Sequence, residues 1–387
     1  MKRPLWPSIV VDMTVIDWLL DSDPSIRWQV MRDLTAESAE AVAAERSRVA
    51  TEGWGARLLA LQGPDGQWGR NVLPSDVPHE GLPDVATRKL LRDLQQVSLE
   101  ELSGFLDIDL ATVTSWENGE PDSGDERSEK YRGVVKWMVD SIGTYSPPWI
   151  STTYTLLLLR EMGLDPGSDQ ARRAVTLVRD NSKWDHDGQD FFDGEVEPCV
   201  NGMAVALGAY FGENVDGIVQ RLVGEQLDDG GWNCEAENGS IRSSFDTTIS
   251  VLEGLLEYER ATGGSADVTA ARLDAQEYLL ERGMFRRKST GDIVDPAYTQ
   301  FSYPTRWHYD VLRGLDYLRA AGVEPDERSI EAIDLVRSKR DADGRWPLEN
   351  THPGRVHFEF DEGDGEPSRW NTLRAIRVLD WAGDGSA

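Results

Sequence analysis

Five short stretches of this chain set polar and aromatic side chains directly before apolar runs. They are Trp149, Thr152 and Tyr154; Glu197, Cys199 and Asn201; Ser244 to Thr248; Arg306 to Tyr309; and Arg369 to Asn371. That mix suits the wall of a pocket better than a core. Asp246, in Ser244-Phe245-Asp246-Thr247-Thr248, is a mild general acid or base if burial raises its pKa, and otherwise an ordinary helix cap. Arg306 and Arg369 stand in matching contexts, Thr-Arg-Trp-His and Ser-Arg-Trp-Asn. Two guanidinium forks at one end of a cavity would hold a diphosphate or a carboxylate; the plainer alternative pairs each with one of the 69 acidic residues. Trp149, Tyr154, Phe245, Trp307, Tyr309 and Trp370 either line an apolar channel, where their π faces would stabilise a cation, or simply fill the interior. No D-D-x-x-D occurs, so magnesium-assisted diphosphate ionisation in its usual form is not supported.

A tandem repeat would position these residues. Gln62 to Trp68 and Gln226 to Trp232 both read Q-x-x-x-G-x-W, and Arg340 to Trp346 keeps all of it except the Gln. Degenerate copies stand at Trp184 to Gly188 and Gly283 to Phe285. Apolar residues at three-and-four spacing precede and follow the turns, so each unit is a helical hairpin. The spacing predicts leading helices near 56–62, 169–180, 215–226, 267–282 and 327–339. The following helices fall near 150–161, 200–211, 246–259, 306–320 and 370–382. These are the more apolar and should lie inside, with the charged leading helices outside. Helices near 12–20, 24–34 and 38–51 would cap the array.

The turns, the paired helices and strings such as Trp149-Ile150-Ser151-Thr152-Thr153-Tyr154 resemble the squalene–hopene cyclase and protein prenyltransferase superfamily over about 52–80 and 143–387. The resemblance implies an all-α fold, an α/α toroid of five to six helical hairpins. It also implies function at the N-terminal ends of the inner helices, which open onto one end of a central cavity. In the cyclase branch the acid is the middle Asp of D-x-D-D-T. Here that stretch reads S-x-D-T-T, keeping Asp246 and replacing both supporting carboxylates by Ser244 and Thr247. Protonating an unactivated alkene needs a strong acid held by its neighbours, so milder acid–base work suits Asp246 better, with His308 as the second catalytic candidate. Asn201 and Asn371 join the aromatic residues and the two arginines as substrate contacts. The prenyltransferase branch holds zinc with an Asp, a Cys and a His. Asp246, Cys199 and His308 are those types, spread over three repeats rather than placed two residues apart as the family's Asp and Cys are. A buried apolar Cys and a neutral, hydrogen-bonded His are the plainer alternative.

About eighty residues separate the Trp68 turn from Trp149. Within them Val97 to Gly119 resembles the helix-turn-helix of Cro/C1-type repressors, in Ser98-Leu99-Glu100-Glu101-Leu102 and Thr112-Val113-Thr114-Ser115-Trp116-Glu117-Asn118-Gly119. The expected organisation is 1–80 for the N-terminal helices and first repeat, 84–141 for an inserted helical domain, and 143–387 for the remaining repeats. From Arg88 to Asp140 seven Lys or Arg stand against twelve Asp or Glu, and the recognition helix 111–116 has no cation. Phosphate contacts supply most nucleic-acid affinity, so a lid, a homo-oligomer contact or a docking element for a partner protein fits this segment better than duplex DNA.

The formal net charge of −29 repels nucleic acid and anionic lipid at long range. Two cysteines give no disulfide framework, Asp12, Asp17 and Asp21 interrupt any signal-peptide run, and no apolar stretch reaches a membrane span, which together read as cytoplasmic. Three functions compete. The first is an enzyme acting on an isoprenoid or similar apolar small molecule; the second is a toroid that binds a ligand or a protein without chemistry; the third is a ligand-responsive DNA-binding regulator.

Overall fold

The computed structural model describes residues 13–74, 77, 81–122, 124–184 and 188–383. The protein is predominantly α-helical. In chain order the helices are α1 (Met13–Leu20), α2 (Pro24–Asp33), α3 (Ala39–Ser47), α4 (Gly53–Ala60), α5 (Val85–Gln95), α6 (Leu99–Leu106), α7 (Leu110–Glu117) and α8 (Glu126–Asp140). They continue as α9 (Thr152–Glu161), α10 (Asp169–Asn181), α11 (Pro198–Phe211), α12 (Asp216–Gly224), α13 (Phe245–Thr262), α14 (Ala266–Leu280), α15 (Val311–Ala320), α16 (Ile330–Ser338) and α17 (Arg369–Gly383). One short antiparallel pair, β1 (Trp346–Pro347) with β2 (Pro367–Ser368), precedes α17.

The three good Trp turns are built alike. Each indole is buried and donates to the carbonyl ten residues earlier: Trp68 to Leu58, Trp232 to Leu222 and Trp346 to Val336, all at 2.7 Å. Each Trp backbone N–H donates to a threonine hydroxyl in the first turn of a later helix, Thr152, Thr248 and Thr372. The Gln reaches sideways: Gln62 donates to the Ala174 carbonyl of α10, and Gln226 to the Ala271 carbonyl of α14. One motif thus ties its own hairpin and, through its Gln, staples it to a later helix. The glycine is needed because Gly230 sits at φ +96°, where an added Cβ would lie 2.8 Å from the Asp274 carbonyl oxygen. Trp184 departs from the pattern, donating to Phe191, and residues 185–187 of that degenerate turn lie outside the described residues.

The following helices touch side by side. α11 and α13 pack closest because Gly202 and Gly254 leave no side chain between their backbones; a Cβ on either would meet a carbonyl oxygen within 2.5 Å. α13 joins α15 through the bidentate Glu253–Arg313 pair, and α15 packs on α17. Arg377 of α17 reaches Gln29 and Asp33 of α2. α2 returns to the end of α9 through Trp28, which donates to the Met162 carbonyl, and Gln29, which donates to that of Glu161. Ser244, Ser168 and Asp310 cap α13, α10 and α15 with side-chain oxygens.

One expected boundary moves. The helix expected from 306 begins at Val311, because Asp310 takes the cap and Arg306 adopts φ +59°, which no α-helix continues. Residues 306–309 are therefore a loop rather than a helix start. Helices α5 to α8 gather around their own apolar cluster, with Leu91, Leu102, Val113, Trp116, Tyr131 and Val135 inside, separate from the large cluster of the remaining helices. There Glu117 is buried and holds Arg92 and the Tyr131 hydroxyl, while Arg88 donates to Tyr131. Two of this segment's cations are thus spent internally.

Candidate functional site

The structure brings some of the expected residues together and leaves others apart: Trp149 contacts Tyr154, His308 and Arg306, and Asp246 lies with Phe245 and Tyr309, whereas Arg369 lies against Trp18. Asp246 lies in the first turn of α13, but Ser244 is the cap. Its carboxylate accepts from the Tyr298 hydroxyl at 2.8 Å and the Tyr309 backbone N–H at 2.7 Å. Burial outweighs these bonds and raises its pKa. Phe245, Tyr298 and Tyr309 pack over it, and the Tyr309 hydroxyl is tied to the Met284 carbonyl. His308 stacks between Trp307 and His352, with ring centroids 3.6 and 3.8 Å away. Burial, then the neighbouring His352, pushes its pKa down to about 3, so it is a neutral and weak base at physiological pH. Trp307 itself is exposed.

Arg306 and Arg369 do not share a site. Arg306 is buried over the Trp149 ring, and burial lowers its pKa to about 10. Arg369 instead lies over Trp18 and donates to the Trp18 carbonyl. Trp149 packs edge-on to Tyr154, whose hydroxyl meets that of Tyr145 at 2.8 Å. Asn201 clasps the backbone of Glu195 through both side-chain atoms, and Asn371 donates to the Pro347 carbonyl, so both act as braces. Cys199, Asp246 and His308 are not brought together. Among the described residues the cluster with metal-ligand spacing is Glu197, Cys199 and Cys234.

The start of α9 is covered by a later segment: Trp149 N–H donates to the Arg355 carbonyl, Arg355 N–H to that of Pro148, and His357 meets the Thr155 hydroxyl at 2.9 Å. Phe358 and Phe360 pack against Arg57, Trp54 and Tyr303.

A chamber among the helices is lined instead by later turns. It measures about 420 Å³ and draws on the end of α9, the second half of α13, α15, α17 and α2. Eight arginines and four carboxylates line it, an excess of four cations in a chain whose net charge is −29. Three pairs within the lining cancel, Arg160–Glu257, Arg313–Glu253 and Arg319–Asp316, and Asp33 of α2, outside the lining, pairs with both Arg32 and Arg377. Arg46, Arg260 and Arg374 donate to the carbonyls of Gly163, Ala320 and Ser302. Glu161 has its pKa raised, first by burial and then by the charge of Glu253.

Several donors that line this chamber have no hydrogen-bond partner in the protein, although carboxylates share the wall. Tyr303 and Trp370 stack at 4.5 Å, both more than nine-tenths buried, and neither the Tyr303 hydroxyl nor the Trp370 Nε1 has a hydrogen-bond partner. The Nε atoms of Arg160 and Arg377 are also buried and unpartnered. Burial holds the Tyr303 hydroxyl far above its ordinary pKa, so it stays protonated and can donate. Four unpaired donors among guanidinium groups have the chemistry to meet an acceptor-rich group. Of the sequence candidates only Trp370 lines the chamber. Glu161, Glu253, Arg313, Arg374 and Tyr303 were missed, although Glu253 and Arg374 stand out as charges inside apolar helices.

No protein-family model matches the chain, and no curated protein matches it. Among solved structures it is similar to the type II terpene cyclase MstE from Scytonema in its apo form, at 14% identity and TM-score 0.32, over 88% of this chain and 97% of that one. It is also similar to an Asp-to-Asn variant of that cyclase in complex with its substrate geranylgeranyl dihydroxybenzoate, at 15% identity and TM-score 0.31, with the same coverage. No residue role is carried over from either.

Proposed function

We propose that this chain is an α/α toroid, formed by 1–80 and 143–387 with an inserted helical unit at 84–141, that receives a small anionic organic molecule in its arginine-lined chamber. The observation that carries this reading is the set of buried, unpartnered donors on Tyr303, Trp370, Arg160 and Arg377. A buried donor without a partner costs about 1–3 kcal/mol. A carboxylate, phosphate or sulfate group would satisfy several at once, and the stacked Tyr303–Trp370 faces would hold an aromatic or prenyl portion. Titrating purified protein with benzoate, phenyl phosphate and prenyl diphosphates, followed by tryptophan fluorescence, tests it. One of these should saturate at one per chain, and Arg374→Met should weaken it at least tenfold; equal binding by the variant overturns the reading.

A second reading makes the protein an isoprenoid-processing enzyme with Asp246 as acid or base. It is favoured by the burial-raised pKa of that carboxyl beside the Tyr298 hydroxyl. Under it Asp246→Asn stops turnover of a prenyl substrate and spares binding; under the first reading the variant leaves binding at the chamber unchanged. For the inserted unit we favour docking to a protein over duplex DNA, since Arg88 and Arg92 are consumed by Tyr131 and Glu117. A salt-dependent gel shift of duplex DNA would overturn that assignment.

A further inference from the structure

The only two cysteines of the chain meet. Cys199, behind Pro198 in the first turn of α11, places its Sγ 2.8 Å from that of Cys234, 35 residues later in the short turn after Trp232. Glu197 brings Oε2 within 3.6 Å of the Cys199 sulfur. All three candidate ligand atoms lie within 4.8 Å of one another.

The supports on both sides are firm. Pro198 opens the helix that carries Cys199, and Cys234 follows a Trp232 fixed by bonds to Leu222 and Thr248. Behind the sulfurs a hydroxyl relay runs from Ser244 to Thr247 at 2.9 Å and from Thr247 to the Cys234 sulfur at 3.5 Å. Because Thr247 already accepts from Ser244, its own proton is free to point at sulfur, where it favours the thiolate. Ligands held on two braced elements, with a donor behind one of them, are the ordinary build of a metal site.

We propose that Glu197, Cys199 and Cys234 bind one zinc(II) ion, leaving a fourth position for water or a small donor ligand. Two thiolates and one carboxylate suit a borderline-soft divalent ion with tetrahedral preference. Zinc–sulfur bonds of about 2.3 Å set tetrahedral sulfurs about 3.8 Å apart, so the two thiols separate by about 1 Å on loading, within the reach of side-chain rotation. Two thiol protons leave as the metal enters, which makes binding weaken as pH falls. This set differs from the Cys199, Asp246 and His308 combination suggested by sequence. Both Asp246 oxygens are taken by Tyr298 and Tyr309, and His308 is stacked on His352.

The test uses full-length protein, reduced and stripped with chelator, then titrated with zinc(II) and, as a spectroscopic probe, cobalt(II). The expected result is one ion per chain, with a thiolate-to-cobalt charge-transfer band and tetrahedral d–d bands. Cys234→Ser should remove the charge-transfer intensity of one thiolate and weaken binding about 10- to 100-fold, and Glu197→Gln should weaken it by a similar factor while keeping both thiolate bands. If Cys234→Ser does not fold, as judged by circular dichroism, the wild-type cobalt spectrum and Glu197→Gln decide. No stoichiometric metal bound by the reduced wild type, or a cobalt spectrum without thiolate character, would each overturn the proposal.

Discussion

Tyr303→Phe should move stability and binding in opposite directions. The hydroxyl is buried, stays protonated and has no partner, while its ring stacks on Trp370 and would do so equally as phenylalanine. Folding the wild type without ligand therefore takes that donor out of bulk water and gives it no protein partner, at about 1–3 kcal/mol. Removing that oxygen relieves the penalty. At about 2.1 cal/mol/K per residue, 387 residues give an unfolding entropy of about 0.8 kcal/mol/K, so the ligand-free variant should melt about 1–4 °C higher. In the complex the same hydroxyl donates to a charged acceptor, a bond of about 1.5–3 kcal/mol, so affinity should fall about 10- to 150-fold. Scanning calorimetry of ligand-free protein and a fluorescence titration with the tightest anion of the panel read the two effects. A lower melting temperature with unchanged affinity would refute the reasoning, because it would mean that the hydroxyl has a partner inside the protein and none in the ligand.

Arg313→Met should destabilise the fold by about 3–5 kcal/mol, because it strands Glu253 without its bidentate partner; adding Glu253→Leu should recover most of the loss in urea melts. Glu161 has a folded pKa above its ordinary 4.5, so the native state binds the extra proton and stability falls as pH rises from 4.5 through the folded value. Glu161→Gln should accordingly melt higher than wild type at pH 7.5, and the difference should vanish as pH falls below 4.5. Gly230→Ala should cost at least about 1–2 kcal/mol in the same melts, since an alanine at φ +96° is strained and its Cβ meets the Asp274 carbonyl.

The turns were legible because each repeats the same short motif, whose indole bond spans only ten residues. Gln, Gly and Trp at fixed offsets brace their own hairpin, and Trp68, Trp232 and Trp346 repeat the same two bonds. The segment around α5 to α8 was legible for a similar reason, since Ser98 and Glu101 form a complete capping box. The chamber was not, because its charges find partners far along the chain: Arg313 and Glu253 are 60 residues apart, Arg160 and Glu257 are 97. On a single helix each reads as a stray charge on an apolar face. The fourth set of polar residues misled for another reason. Arg306 to Tyr309 sit at the right offset for a helix start, but Asp310 is the residue that caps, and that turns His308 toward His352 instead of Cys199. The segment 349–366 carries no repeat signal, yet it packs on the start of α9 through Arg355 and His357.

The central claim is that the arginine-lined chamber holds an anion. A crystal structure of the protein soaked with phenyl phosphate tests it most directly. Phosphate oxygens should lie within hydrogen-bond distance of the Tyr303 hydroxyl, the Trp370 Nε1 and the Arg160 or Arg377 Nε. Ordered water alone at those donors, with the phosphate bound elsewhere or nowhere, would contradict it.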